Sequence, residues 1–129
     1  MKLLLDTHAL LWFLINDNQL PSHIRTLIEA PTNDVATSIA SYWEIGIKQK
    51  HGKGDLPWVA SVPALEHLAI AEQIDTLSIT TDAIEQTKQF PLDHRDPFDR
   101  MIAACAVTYG MRLVSSDAQM DLFLRDRLW

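Results

Sequence analysis

Apolar and polar positions change period several times along the chain. Lys2–Leu5 sets three leucines in a row before Asp6, the pattern of a short buried strand. His8–Ile15 returns to helical spacing, with Leu11, Trp12 and Ile15 on one face. Ser22 reads as an N-cap ahead of Ile24, Leu27 and Ile28, and Pro31 stops that helix. Asp34–Thr37 reads as a second strand. Ser38 can then cap a helix running to about His51, with Gly52 and Gly54 after it. Gly46 inside that helix costs about 1 kcal/mol relative to alanine, which hints at close packing. Residues 62–72 are expected to be helical and Thr76–Ile79 to form a third strand. A helix over Thr81–Gln89 should end before Pro91. Pro97–Tyr109 is a helix closed by Gly110 at the C′ position. Arg112–Ser115 is a fourth strand, and the end of the chain, Leu128-Trp129, offers a fifth.

Strands alternating with helices predict an α/β fold on a parallel sheet. In such sheets, sites form outside the carboxyl ends of the strands, where the following helices also begin. Asp6 ends strand one, and Asp117 stands just past strand four. Glu44 lies early in the helix after strand two, and Asp99 lies in the first turn of the helix leading to strand four. Four acids from distant parts of the chain are thus expected at one edge.

Composition narrows the reading. With 129 residues the chain fits one domain over 1–129, large enough to bury a core without a disulfide or structural metal. Its one cysteine, Cys105, reads as a small apolar filler on a buried helix, and no Cys/His spacing suggests zinc. Asp6 and His8 interrupt the apolar N-terminus, so no signal peptide is expected. No run approaches the roughly 20 apolar residues of a membrane helix. No membrane association is therefore expected, and a reducing cytoplasm is the expected location. The net charge of −6 argues against holding nucleic acid by bulk electrostatics. It can reflect solubility, or carboxylates converging on a cation.

Clustered carboxylates repel one another and raise their pKa values unless a cation sits among them. A set of hard oxygen donors indicates Mg²⁺ or Mn²⁺, which can activate a water and stabilise an in-line phosphoryl displacement. Each acid also has a structural alternative. Asp6 could simply cap the helix after it, and Asp117 could be an ordinary N-cap. Asp96-Pro97-Phe98-Asp99 is a helix-start signal in which Asp96 reads as the cap rather than a ligand, and Asp99 favours the helix dipole. Glu44 falls near the apolar face of its helix, where a glutamate needs a partner.

The remaining candidates carry less. His8, His23, His51, His67 and His94 show no paired spacing and read as surface or cap residues. Trp43 and Trp58 read as core residues, with stacking on bases the alternative. Lys48, Lys50, His51 and Lys53 could meet phosphates or merely complement a helix C-terminus. Trp12, Phe13 and Ile15 place more large apolar surface near the N-terminus than one face can bury, which suggests an interaction surface.

Four blocks, Leu4-Leu5-Asp6-Thr7-His8, Ser41-Tyr42-Trp43-Glu44-Ile45, His94 through Ala103 with Asp96-Pro97-Phe98-Asp99-Arg100 at its centre, and Leu113 through Asp117, resemble those of VapC-type PIN domains in order and spacing. The resemblance implies a PIN-like three-layer α/β/α fold around a central parallel sheet of four or five strands. It further implies a metal-dependent endoribonuclease using Mg²⁺ or Mn²⁺, the toxin of a type II toxin–antitoxin pair. Its implied partners are RNA, a cognate antitoxin and a second copy in a homodimer. Asp6, Glu44, Asp99 and Asp117 fall on the family's four acids, catalytic and metal-binding. Thr7 and Ser116 match hydroxyl positions near the metal, and Asp96 and Arg100 match supporting positions. The stretch after Asp117 is short, so the resemblance leaves a fifth strand brief or missing.

Two other functions fit less well. A non-catalytic PIN-like module binding RNA or protein usually lacks one of the acids, and all four are present. A phosphatase of the haloacid-dehalogenase kind needs an aspartate two positions after the first, where His8 stands.

Overall fold

A computed structural model describes residues 1–52 and 60–129. Lys53, Gly54 and Trp58, which figure in the sequence expectations, lie outside the described residues. The elements run β1 (Lys2–Leu5), α1 (Thr7–Leu14), α2 (Ser22–Glu29), β2 (Asp34–Ser38), α3 (Ile39–His51), α4 (Val62–Ala71), β3 (Ile74–Leu77), α5 (Thr81–Thr87), α6 (Pro97–Thr108) and β4 (Arg112–Val114), followed by a 3₁₀ turn at Ala118–Leu122. The strands form one sheet of order β3-β2-β1-β4, every pair parallel.

β1 is the central strand, and its three leucines show why a fully apolar run suits that place. Leu3 and Leu5 point into one apolar layer with Leu10, Ile24, Ile45 and Leu65; Leu4 points into the other with Ala36, Ile102, Leu113 and Met120. Alternation along a strand sends neighbours to opposite faces, and helices cover both, so all three leucines are buried. The layers are unlike. α6 meets the sheet through Ala103, Ala104, Cys105 and Ala106, all buried, and this small-residue face leaves little room for added methyl groups. Cys105 is a filler there, as expected.

Sequence and structure part at several places. α2 is capped by Pro21, and Ser22 is already its first helical residue without a side-chain cap bond. β3 begins two residues earlier than its β-branched pattern suggested, because its register is set by pairing Val35–Ser38 of β2 with Ile74–Leu77. The fifth strand shrinks to a single parallel bridge between Val114 and Leu128. A Cβ on Gly46 would meet Val62 Cγ2 at 3.6 Å, an ordinary contact, so α3 and α4 touch here without demanding a glycine.

The apolar surface also lies elsewhere than expected. Phe13 is buried, and Trp12 packs between His8 and Trp129, so α1 is covered from within the chain. Among the described residues, a run of exposed apolar side chains lies instead on α3, where Trp43 is 64% exposed beside Ile39 and Ile47; others, such as Ile70 and Leu92, are scattered over the surface. Trp43 is therefore not a core residue; its ring meets the edge of Phe98. Among the described residues, no helix is long and apolar enough to cross a membrane.

Candidate active site

The first acid is placed by the central strand. Asp6 follows β1 directly and caps α1, its Oδ1 accepting from the Ala9 amide at 2.8 Å. Capping and a role in a site are therefore not exclusive here, because one carboxylate oxygen suffices for the cap. Thr7, the first residue of α1, is buried and donates its hydroxyl to Glu44 Oε1 at 2.5 Å. Glu44 is held from the other side by Lys48, one helical turn along α3, with Nζ 3.0 Å from Oε2. A buried glutamate requires partners, and among the described residues Thr7 and Lys48 serve as such.

Asp99 arrives on α6. Asp96 caps that helix through the amides of Phe98 at 2.9 Å and Asp99 at 3.1 Å. Asp99 is left free to turn inward, where its Oδ2 stands 2.7 Å from His94 Nε2. Asp117 follows β4. Its amide donates to Ser115 Oγ at 3.1 Å, and its Oδ1 accepts from Gln119 at 2.9 Å. Arg127 buttresses this turn, with one guanidinium nitrogen 2.8 Å from the Ser115 carbonyl and another ion-paired to Asp121.

These groups meet in a cavity of about 170 Å³ lined by Asp6, Glu44, Asp96, Asp99 and Asp117, together with Thr7, Ser116, His8 and Lys48. Two larger hollows lie elsewhere. One, of about 420 Å³, opens near the start of β2 beside Glu29, Asp34 and Asp75; the other, of about 510 Å³, is the apolar trough over Ile39, Trp43 and Ile47. Size does not decide the chemistry. Of these three, the small cavity is the one that combines buried carboxylates with the carboxyl edge of the sheet.

Its electrostatics are under tension. Burial lifts the Asp6 carboxyl from its usual 3.8 to about 6; hydrogen bonds from Ser115 and Ala9 pull it back, while Glu44 and Asp117 push it up. Burial likewise lifts Asp99 to about 6, opposed by its hydrogen bond to His94 and reinforced by Asp96 and Glu44. Two acids resisting ionisation in one small space suit a cation that would lie between them. Hard carboxylate oxygens suit a small divalent ion.

All eight residues singled out by sequence are placed. Asp6, Thr7, Glu44, Asp96, Asp99, Ser116 and Asp117 line the cavity. Arg100 does not: its guanidinium grips the carbonyls of Thr87, Phe90, Pro91 and His94, tying down the segment before α6. Three residues were missed. His94 reads from sequence as a surface or cap residue, yet among the described residues it forms with Asp99 and Asp117 the one set of three whose ligand atoms all lie within 4.8 Å. Asp6 and Glu44 share the cavity without belonging to that set. Ser115, fully buried, accepts from the Asp117 amide and is the hydroxyl that holds the Asp6 carboxyl down. Arg127 stabilises the Asp117 turn from the chain's end. Adjacency to the Asp-Pro-Phe-Asp run is the available signal for His94, and membership of the Leu113–Asp117 block is that for Ser115; Arg127 has none.

The comparisons with known proteins agree with this architecture. The family model described as PIN domain matches residues 3–123. The chain is similar to Ribonuclease VapC22 of Mycobacterium tuberculosis, 29% identical over 122 residues, covering 91% of this chain and 88% of that protein. Among solved structures, it resembles VapBC2 from Rickettsia felis bound to a promoter DNA fragment (TM-score 0.69, 13% identity, 100% of this chain and 98% of that one). It also resembles VapBC-1 from nontypeable Haemophilus influenzae (TM-score 0.67, 20% identity, 100% and 96%). A toxin–antitoxin complex from Klebsiella pneumoniae is similar as well (TM-score 0.64, 15% identity, 98% and 95%).

Proposed function

The chain belongs to the PIN-domain family, and from that premise we propose that it is a metal-dependent endoribonuclease, the toxin of a type II toxin–antitoxin pair. One observation carries this reading most: five carboxylates from four separate segments share a cavity of about 170 Å³ at the carboxyl edge of the sheet. A ribonuclease among its relatives and toxin–antitoxin complexes among its structural neighbours support the substrate class and the setting.

The cofactor in this reading is Mg²⁺ or Mn²⁺, held by Asp6, Asp99, Glu44 and Asp117. Such an ion lowers the pKa of a bound water and neutralises the charge developing on a phosphodiester. The chain's own residues do the rest. Asp6 and Asp99 are the principal ligands, because they are the two whose buried charge is least compensated. Glu44, fixed between Thr7 and Lys48, and Asp117, fixed by its turn, complete the site and orient the attacking water. Lys48 brings a positive charge to the cavity lining, where a substrate phosphate would find it. Asp96 and Arg100 support: one holds the start of α6, the other the segment leading to it.

A ribonuclease of this kind works in the cytoplasm, alongside its RNA, and needs an antitoxin to spare its host. A homodimer belongs to the same reading, and the exposed apolar strip of Ile39, Trp43 and Ile47 is a surface that association could cover. The antitoxin-free protein, incubated with single-stranded or looped RNA, should cleave it with Mg²⁺ or Mn²⁺ and stop on addition of chelator. Undiminished cleavage in excess EDTA would refute metal dependence.

A further inference from the structure

We propose that His94 Nε2 is itself a ligand, completing with Asp99 and Asp117 a mixed nitrogen–oxygen site that favours a first-row transition ion such as Mn²⁺ over Mg²⁺. The inference rests on the reading of the cavity as a metal centre and deepens it by naming a ligand and an ion preference.

Geometry comes first. The three ligand atoms lie within 4.8 Å of one another. Two ligands on opposite sides of an ion at 2.0–2.1 Å stand about 4 Å apart, so a small inward movement gathers all three around one ion. The 2.7 Å separation of His94 Nε2 and Asp99 Oδ2 is already close to the roughly 3 Å between neighbouring ligands of an octahedral ion. That contact is a hydrogen bond here, and the same two atoms would share a cation once the proton moves to Nδ1.

The imidazole is also held in place from outside the cavity. Arg100 grips the His94 carbonyl at 3.2 Å and three other carbonyls of the segment before it. The ring itself lies against Phe123, with centroids 5.5 Å apart. A side chain fixed at its backbone and along its ring binds with little loss of rotamer freedom. This gives Arg100 its place in the site although it reaches no acid.

The ion preference follows from the donors. Carboxylates serve Mg²⁺ and Mn²⁺ about equally, whereas Mg²⁺ seldom takes nitrogen and transition ions accept imidazole readily. One histidine among carboxylates therefore shifts the balance without excluding Mg²⁺.

The test needs no RNA. Metal-free, antitoxin-free protein is titrated calorimetrically with MnCl₂ and with MgCl₂, and the Mn²⁺-loaded protein is examined by pulsed EPR for nitrogen coupling. The proposal expects nitrogen coupling that survives His8→Ala and vanishes in His94→Ala. It also expects His94→Ala to weaken Mn²⁺ binding roughly tenfold or more, with a clearly smaller effect on Mg²⁺. Absence of nitrogen coupling in the unaltered protein overturns it, and that spectrum decides even if the variant folds poorly. Equal losses for both ions also overturn it and leave His94 positioning Asp99. Mn²⁺ binding lost in Asp99→Asn but without nitrogen coupling sinks the histidine ligand and spares the metal centre. No binding of either ion sinks both.

Discussion

The backbone amide of Asp6 donates to the carbonyl of Val114 at 3.0 Å. The hydrogen bonding between β1 and β4 thus continues onto the residue that carries the first acid, and it fixes Asp6 beside the turn that carries Asp117. The relationship explains why Asp117, more than a hundred positions away, helps push the Asp6 carboxyl upward. It also makes Asp6 the natural place to test what the site costs the fold.

Asp6→Asn should abolish RNA cleavage while stabilising the metal-free protein. The Asp6 carboxyl is raised from 3.8 to about 6 in the fold. Its favourable contribution is therefore complete below about pH 4, is lost as pH rises to about 6, and leaves a penalty of up to about 3 kcal/mol at neutrality. Asparagine keeps the cap on Ala9 and carries no charge. Denaturant melts in chelator should show the variant more stable than the parent near neutral pH, with the gap closing towards pH 4. A gap independent of pH would mean that the buried charge is not its cause.

Asp96 and Asp99 should separate. Asp96→Asn keeps an N-cap and should retain much of the activity, whereas Asp96→Ala should lose about 1 kcal/mol of stability. Asp99→Asn should remain folded and inactive. Cleavage by Asp99→Asn together with a dead Asp96→Asn would reverse the two roles.

Much of this was legible in the sequence, for reasons that differ by residue. Asp6 and Asp117 follow strands, and a parallel sheet brings the ends of its strands together. Asp99 stands behind a proline and a cap, which left it unneeded for capping. Glu44 could be judged buried from its period. That same period should have turned Trp43 outward, since consecutive helical residues point about 100° apart, but its size suggested a core role. His94 was not legible, because it sits in irregular chain whose path depends on four carbonyls gripped by Arg100. Ser115 and Arg127 depend on how the last residues fold back on β4, where one bridge stands in place of a strand. Tertiary hydrogen bonds of that kind leave no periodic trace.

Arg100→Lys should therefore act at a distance. An ammonium cannot reproduce the planar fork that meets the carbonyls of Thr87, Phe90, Pro91 and His94. A loss of about 2–3 kcal/mol is expected from charge-assisted hydrogen bonds left unmade. Hydrogen exchange should rise in residues 88–95 before it rises in β1 or β2. Unchanged exchange in that segment would mean that Arg100 does not hold it.

The last prediction concerns inhibition. In the proposed pair, the antitoxin must silence a cavity whose unmet need is positive charge. Asp6 and Asp99 are both lifted by burial, and Lys48 is already engaged by Glu44. An arginine or lysine entering the cavity would meet several carboxylates in a partly desolvated space, where charge-assisted hydrogen bonds are strong and a guanidinium can bridge two acids. It would then occupy the place of the cation. Inhibition by such a residue should be competitive with metal: raising Mn²⁺ should partly restore cleavage, and the complex should bind Mn²⁺ more weakly than the free protein. Light scattering over a concentration series gives the assembly state at the same time, with a homodimer expected for the antitoxin-free chain and a strict monomer at micromolar concentration refuting it. Neutralising the basic residues of the antitoxin's contact segment should release the metal site even where binding persists. If inhibition survives those changes and does not respond to Mn²⁺, the antitoxin acts by covering the cavity, and the carboxylates play no part in holding it.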